Sequence, residues 1–143
     1  MIRLLIAVPV AAVLLGGCGG SPSTVESAAT PSSSDGTIVV AQEGSAPART
    51  QWYVRIETTK AESVTEAAYP NAPIALTKQL PAGQYRVISW HRTCSGACPA
   101  SGEDGLGPLE EVCGAATTVT PGGRVAATVV IDAEGGCSVR VGT

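Results

Sequence analysis

Beyond residue 36 the apolar residues of this chain are mostly β-branched, and they alternate. Arg124–Asp132 places Val125, Ala127, Val129 and Ile131 on one side of an extended backbone. Thr50–Thr59 places Trp52, Val54 and Ile56 on one face and Tyr53, Arg55 and Glu57 on the other. A period of two is the signature of a half-buried strand, because successive side chains point to opposite faces. β-branched side chains lose rotamer freedom in helices and pack well on a pleated surface. Leucine is scarce in this region and phenylalanine is absent from the whole chain, while 17 glycines and 10 prolines supply turns. The pattern predicts an all-β fold.

Seven segments carry the alternation: Thr37–Gln42, Thr50–Thr59, Ala72–Thr77, Gln84–Thr93, Ala115–Thr120, Arg124–Asp132 and Cys137–Val141. They predict a single disulfide-stapled β-sandwich of about seven strands over residues 37–143. Lys60–Ala68 is read as a wide loop, with one or two helical turns as the alternative. Cys94–Gly114 is read as a long loop, and Pro121-Gly122-Gly123 as the turn of a hairpin joining its two flanking strands. In the last strand Val139 and Val141 are expected to face inward. Along Gln84–Thr93, Tyr85, Val87, Ser89 and His91 share one face and Arg86, Ile88, Trp90 and Arg92 the other. With Tyr85 inward, Arg86, Trp90 and Arg92 form a possible contact patch, since aromatic and arginine side chains dominate interface hot spots. The plainer reading has Trp90 covering the sheet beneath the long loop.

The phrase Leu80-Pro81-Ala82-Gly83-Gln84-Tyr85-Arg86-Val87 resembles a signature of carboxypeptidase-regulatory-like, transthyretin-type β-sandwich domains. In that family the glycine serves the turn and the tyrosine packs between sheets. Gly36–Val40 is similar to the family's first strand, and the resemblance spans roughly residues 36–93.

The start of the chain has a different character. Arg3 precedes an apolar run from Leu4 to Leu15, followed by two glycines and Cys18. This is the order of an export signal, and the run is shorter than the ~20 residues that cross a bilayer as a helix. Leu14-Leu15-Gly16-Gly17-Cys18 resembles the lipobox of bacterial lipoproteins. That resemblance implies residues 1–17 as signal peptide, and Cys18 as the lipidated first residue of the mature chain. Residues 18–36, rich in Ser, Pro, Gly and Thr, cannot bury enough apolar surface to offset their ordering entropy and are expected to be a disordered tether. The implied location is the extracytoplasmic face of a cell membrane, with the lipid on Cys18 as the attachment.

Removal of the signal leaves eight bases against twelve acids. Such a chain has no electrostatic footprint for nucleic acid. Cys94, Cys98, Cys113 and Cys137 form an even set in a small exported domain, which is read as two disulfides. Three connectivities exist. Cys94–Cys137 with Cys98–Cys113 is preferred, Cys94–Cys113 with Cys98–Cys137 comes next, and pairing of Cys94 with Cys98 is least favoured because the span is short. The rival reading makes His91, Cys94, Cys98 and Cys113 metal ligands. No cofactor or metal is expected.

Catalytic readings find little purchase. His91 is the sole histidine, and no Gly-x-Ser-x-Gly elbow accompanies it. Glu103, Asp104, Glu110 and Glu111 make an acidic stretch that matches no EF-hand spacing. The expected function is therefore a non-catalytic binding or scaffolding module at the envelope, with a protein or an envelope polymer as ligand. The alternatives are an inhibitor of an exported enzyme, and a small envelope hydrolase or metal-binding protein.

Overall fold

Alternation on the scale of single residues builds two faces, and the strands bury the β-branched one. In the computed structural model, which describes residues 34–142, eight strands follow one another. They are β1 (Asp35–Glu43), β2 (Thr50–Thr58), β3 (Ser63–Pro70), β4 (Ala75–Pro81), β5 (Gly83–Cys94), β6 (Leu106–Val119), β7 (Arg124–Ile131) and β8 (Cys137–Gly142). The expected signal peptide, the lipidated Cys18 and the tether up to Ser33 lie outside the described residues. Asp35 and Gly36, allotted to the tether by sequence, belong to β1.

The strands form two four-stranded sheets, ordered β4-β1-β7-β8 and β3-β2-β5-β6. All neighbours are antiparallel except β1 and β7, which run parallel with Ile38 opposite Val125 and Val40 opposite Ala127. The two central strands of each sheet supply most of the interior. Ile38 and Val40 come from β1, Trp52, Val54 and Ile56 from β2, Tyr85 and Val87 from β5, and Val125, Ala127, Val129 and Ile131 from β7. Edge strands contribute less: Val139 of β8 packs against the core, while Val141, expected inward, is exposed near the end of its strand.

Three sequence expectations are corrected. Ser63–Pro70 is a strand, not a loop: it pairs with β2 from Glu57 back to Gln51. Its inward positions are Thr65, Ala67 and Tyr69, a weak pattern because an edge strand is only half covered. The loop after Cys94 is shorter than read, since β6 starts at Leu106 and follows β5 through two register shifts. Glu111 sits at one of them with φ 48°, and a bulge of this kind breaks the alternation that would have announced the strand.

The third correction concerns Pro121-Gly122-Gly123. β6 and β7 do not pair; they lie in different sheets. Gly123 N donates to Thr120 O at 2.9 Å, with Pro121 and Gly122 (φ 65°) at the centre of the turn. Proline followed by a positive-φ glycine is the type II arrangement, whereas tight hairpins favour the primed turns that match strand twist. The turn is a corner between sheets. It is tied to β1 by Gly122 N donating to Asp35 O and Thr37 N donating to Gly123 O, both 2.8 Å. Gly36 passes so close that a Cβ there would lie 2.5 Å from Thr120 O.

A second corner joins β4 to β5 through Ala82 alone. Tyr85, buried between the sheets, donates its hydroxyl proton to Pro81 O at 2.9 Å and so clips the corner while filling the core.

Candidate functional site

β5 carries the residues singled out from sequence, and its pleat separates them. Arg86, Trp90 and Arg92 fall on the outer face, opposite Glu57, Tyr53 and Gln51 of β2. Each is engaged within the domain. Arg86 pairs with Glu57 at 3.2 Å, and that carboxylate is nearly covered. Trp90 stacks on Tyr53 with centroids 5.3 Å apart, and the Arg55 guanidinium lies 5.0 Å from the Trp90 ring centre. Arg92 donates to Gly107 O at 2.7 Å and to Glu103 at 2.9 Å. Trp90 is only 7% exposed. Toward the β6 margin Leu109 and Val112 are exposed, and Val112 lines a groove over Gly114 with Arg86 and Ile88.

Burial tunes one group on this face. The Tyr53 hydroxyl is pushed above the ordinary tyrosine value of 10.0 by desolvation first, with Glu103 and Glu66 acting the same way and Arg92 opposing. Gln51 Nε2 donates to this hydroxyl at 3.0 Å.

His91 lies on the inner face. It is 5% exposed, its ring is 4.8 Å from that of Trp52, and its Nε2 is 3.5 Å from a Glu110 carboxylate oxygen. Among the described residues its Nδ1 finds no hydrogen-bond partner, and neither do Trp52 Nε1 and Gln51 Oε1. Sequence reasoning missed the unpartnered nitrogens of Trp52 and His91, which lie opposite each other across β2 and β5 on the inner face. The only available signal was the presence of Gln51, Trp52 and His91 in strands otherwise rich in valine and isoleucine.

The sulfurs pair as Cys94–Cys98 and Cys113–Cys137, the arrangement least favoured from sequence. The cause is the early start of β6. It places Cys113 opposite Ser89, partway along the sheet and facing inward, where it meets Cys137 at the start of β8. Cys94 remains at the far end of β5, where the chain turns at once and brings Cys98 back with Cα atoms 5.2 Å apart. That separation lies within ordinary disulfide range. Cys113–Cys137, with Cα atoms 5.8 Å apart, joins an edge strand of one sheet to an edge strand of the other. The three cysteines considered as metal ligands with His91 are thus bonded to other sulfurs.

The acidic stretch is dispersed. Glu103 pairs with Arg92, Glu110 approaches His91 and Thr93, and Glu111 occupies the bulge. Among the described residues no three His, Cys, Asp or Glu side chains gather to hold a metal ion.

At the end of the sandwich that holds the β1–β2 turn there is a cleft of about 450 Å³. Its rims are residues 44–46 and 71–73, with Gln42, Thr50 and Trp52 below them.

No protein-family model matches the chain, and no curated protein matches it. A solved structure that it resembles is the crystal structure of the human-specific toxin intermedilysin, at 11% identity and a TM-score of 0.30. The match covers 76% of this chain and 23% of the toxin chain. A likeness this loose carries no argument about fold or activity.

Proposed function

We propose that this protein is a bacterial cell-envelope lipoprotein, anchored through acylated Cys18, whose β-sandwich is a non-catalytic binding or scaffolding module. The observation that carries the reading is Leu14-Leu15-Gly16-Gly17-Cys18, which closes the apolar run near the start of the chain. A thiol at that boundary is the nucleophile that accepts a lipid, and small residues before it give a peptidase access to the backbone. Two acyl chains hold a small domain on a membrane far better than one, at ~0.8 kcal/mol per buried CH₂. Two disulfides fit an oxidising compartment. The non-catalytic half of the reading is supported by the place of the sole histidine, nearly buried and against Trp52. The partner is a protein or an envelope polymer, and the transthyretin-type kinship drawn from Leu80–Val87 belongs to the same proposal.

The test is fractionation of cells expressing the wild-type chain or Cys18→Ser, with a labelled fatty acid. Label and membrane residence in the wild type, both lost in the variant, support the reading. Equal membrane residence without label overturns it.

A further inference from the structure

The edges of the two sheets differ in how they are guarded. An edge strand has a strand partner on one side only, and a charged residue or a proline on it opposes pairing with another chain. The four edges are β3, β4, β6 and β8. Three of them carry a charge near mid-strand: Glu66 in β3, Lys78 in β4 and Arg140 in β8. β6 is guarded in its first half, by Pro108, Glu110, Glu111 and the bulge at Glu111. From Val112 to Val119 it has neither a charge nor a proline. β8 approaches β6 at Glu111 and Cys113, where Cys137 Sγ lies 3.1 Å from Glu111 O and the disulfide closes. Among the described residues no strand pairs with the side of β6 that faces away from β5.

This unguarded stretch carries both a projection and a hollow. Gly114, opposite Ile88, has no side chain, and the space it leaves between Arg86, Ile88, Val112 and Ala116 is a groove of about 280 Å³. Val112 precedes that glycine on the same outer face and is 62% exposed. Ala116 follows it on that face at the same spacing, opposite Arg86. A two-fold axis through Gly114, with two β6 strands antiparallel, sets Val112 of each copy opposite Ala116 of the other. Each valine then lies over the other copy's hollow. In this register Glu110 and Glu111 fall opposite Thr118 and Thr117 of the second copy, so no like charges meet across the pair. A two-fold interface needs a surface complementary to itself, and this strand has one. An unrelated strand would have to bring its own apolar side chain to the hollow; a second copy has it at the matching distance.

We propose that two copies of this chain associate by antiparallel pairing of their β6 strands about Gly114, which joins the two β3-β2-β5-β6 sheets edge to edge. The main chain supplies the ladder and Val112 in the groove fixes the register. The pairing does not rest on the lipid at Cys18, so it stands or falls separately from membrane attachment.

The experiment is sedimentation equilibrium of the full chain in density-matched detergent, with amide hydrogen exchange at low and high protein concentration. A monomer–dimer equilibrium is expected, with amides between Val112 and Thr118 exchanging more slowly in the dimer. Val112→Lys alters a side chain that is already exposed, and thermal melting of the dilute variant checks its fold. It is expected to raise the dissociation constant at least about tenfold. Adding Ala116→Glu to the same chain sets a carboxylate opposite the new lysine of the other copy, and is expected to bring the constant back to within about threefold of the wild type. A chain that stays monomeric to about 1 mM overturns the proposal. So does a dimer whose protection falls on β3, β4 or β8, wild-type association in a folded Val112→Lys variant, or a double variant as weak as the single one.

Discussion

Tyr53 and Trp90 face each other across β2 and β5, and their rings stack with an interplanar angle of 1° and centroids 5.3 Å apart. The pair sits on the outer face of its sheet, yet the stack and the Arg55 guanidinium leave Trp90 largely covered. A double-mutant cycle of Tyr53→Ala and Trp90→Ala is expected to show coupling of about 0.5–1.5 kcal/mol in denaturant unfolding. Acrylamide quenching of the native protein should be weak, because neither tryptophan reaches solvent freely.

The disulfides are checked by peptide mapping without reduction. Cleavage by trypsin and at glutamates yields 93–103, 112–124 and 135–140. The expected products are 93–103 closed on itself and 112–124 joined to 135–140. A bond from 93–103 to either of the others contradicts the pairing.

The two bonds should differ in weight. Cys113–Cys137 spans 24 residues and ties the sheets at one seam, whereas Cys94–Cys98 spans 4. Restricting the unfolded chain over the longer span is worth about 3 kcal/mol, and over the shorter one about 2. The double alanine variant of the longer pair is therefore expected to melt lower than that of the shorter pair.

Gly36→Ala probes the corner formed by Thr120–Gly123. Its added methyl would meet Thr120 O and Val119 Cγ1, each 2.5 Å away, and one of these neighbours is backbone. A loss of about 1–3 kcal/mol is expected on chemical denaturation. Gly122→Ala, with open space around it, carries only the strain of its positive φ.

These predictions follow the line between what was legible and what was not. The central strands announce themselves because both sheets bury Val and Ile from β1, β2, β5 and β7 on one face. β3 stayed hidden because its inward residues are Thr65, Ala67 and Tyr69, little different in polarity from its outward ones. The first half of β6 stayed hidden because the bulge at Glu111 shifts the pattern, and the cysteine pairing was lost with it. The turn at Pro121-Gly122 was visible, but its residues specify a sheet-to-sheet corner that proximity in sequence makes look like a hairpin. The cleft was beyond reach, since Gln42, Trp52 and Asn71 meet only through the packing of the two sheets.

Burial raises Tyr53 and Tyr69 above 10.0, desolvation being the largest cause for both. Between 10.0 and its folded value, each hydroxyl stays protonated in the native chain and ionises in the unfolded one. Their contribution is thus complete below pH 10.0 and declines as pH rises beyond it. Tyrosinate absorbance in Tyr53→Phe and Tyr69→Phe should lose the late-titrating part of the curve, and each variant should be less sensitive to alkali.

The most direct measurement is the intact mass of the native protein recovered from membranes. A chain beginning at Cys18 and carrying fatty acyl groups is the predicted result. A terminus at Met1, or one at Gly19 or later without acyl groups, would contradict the account.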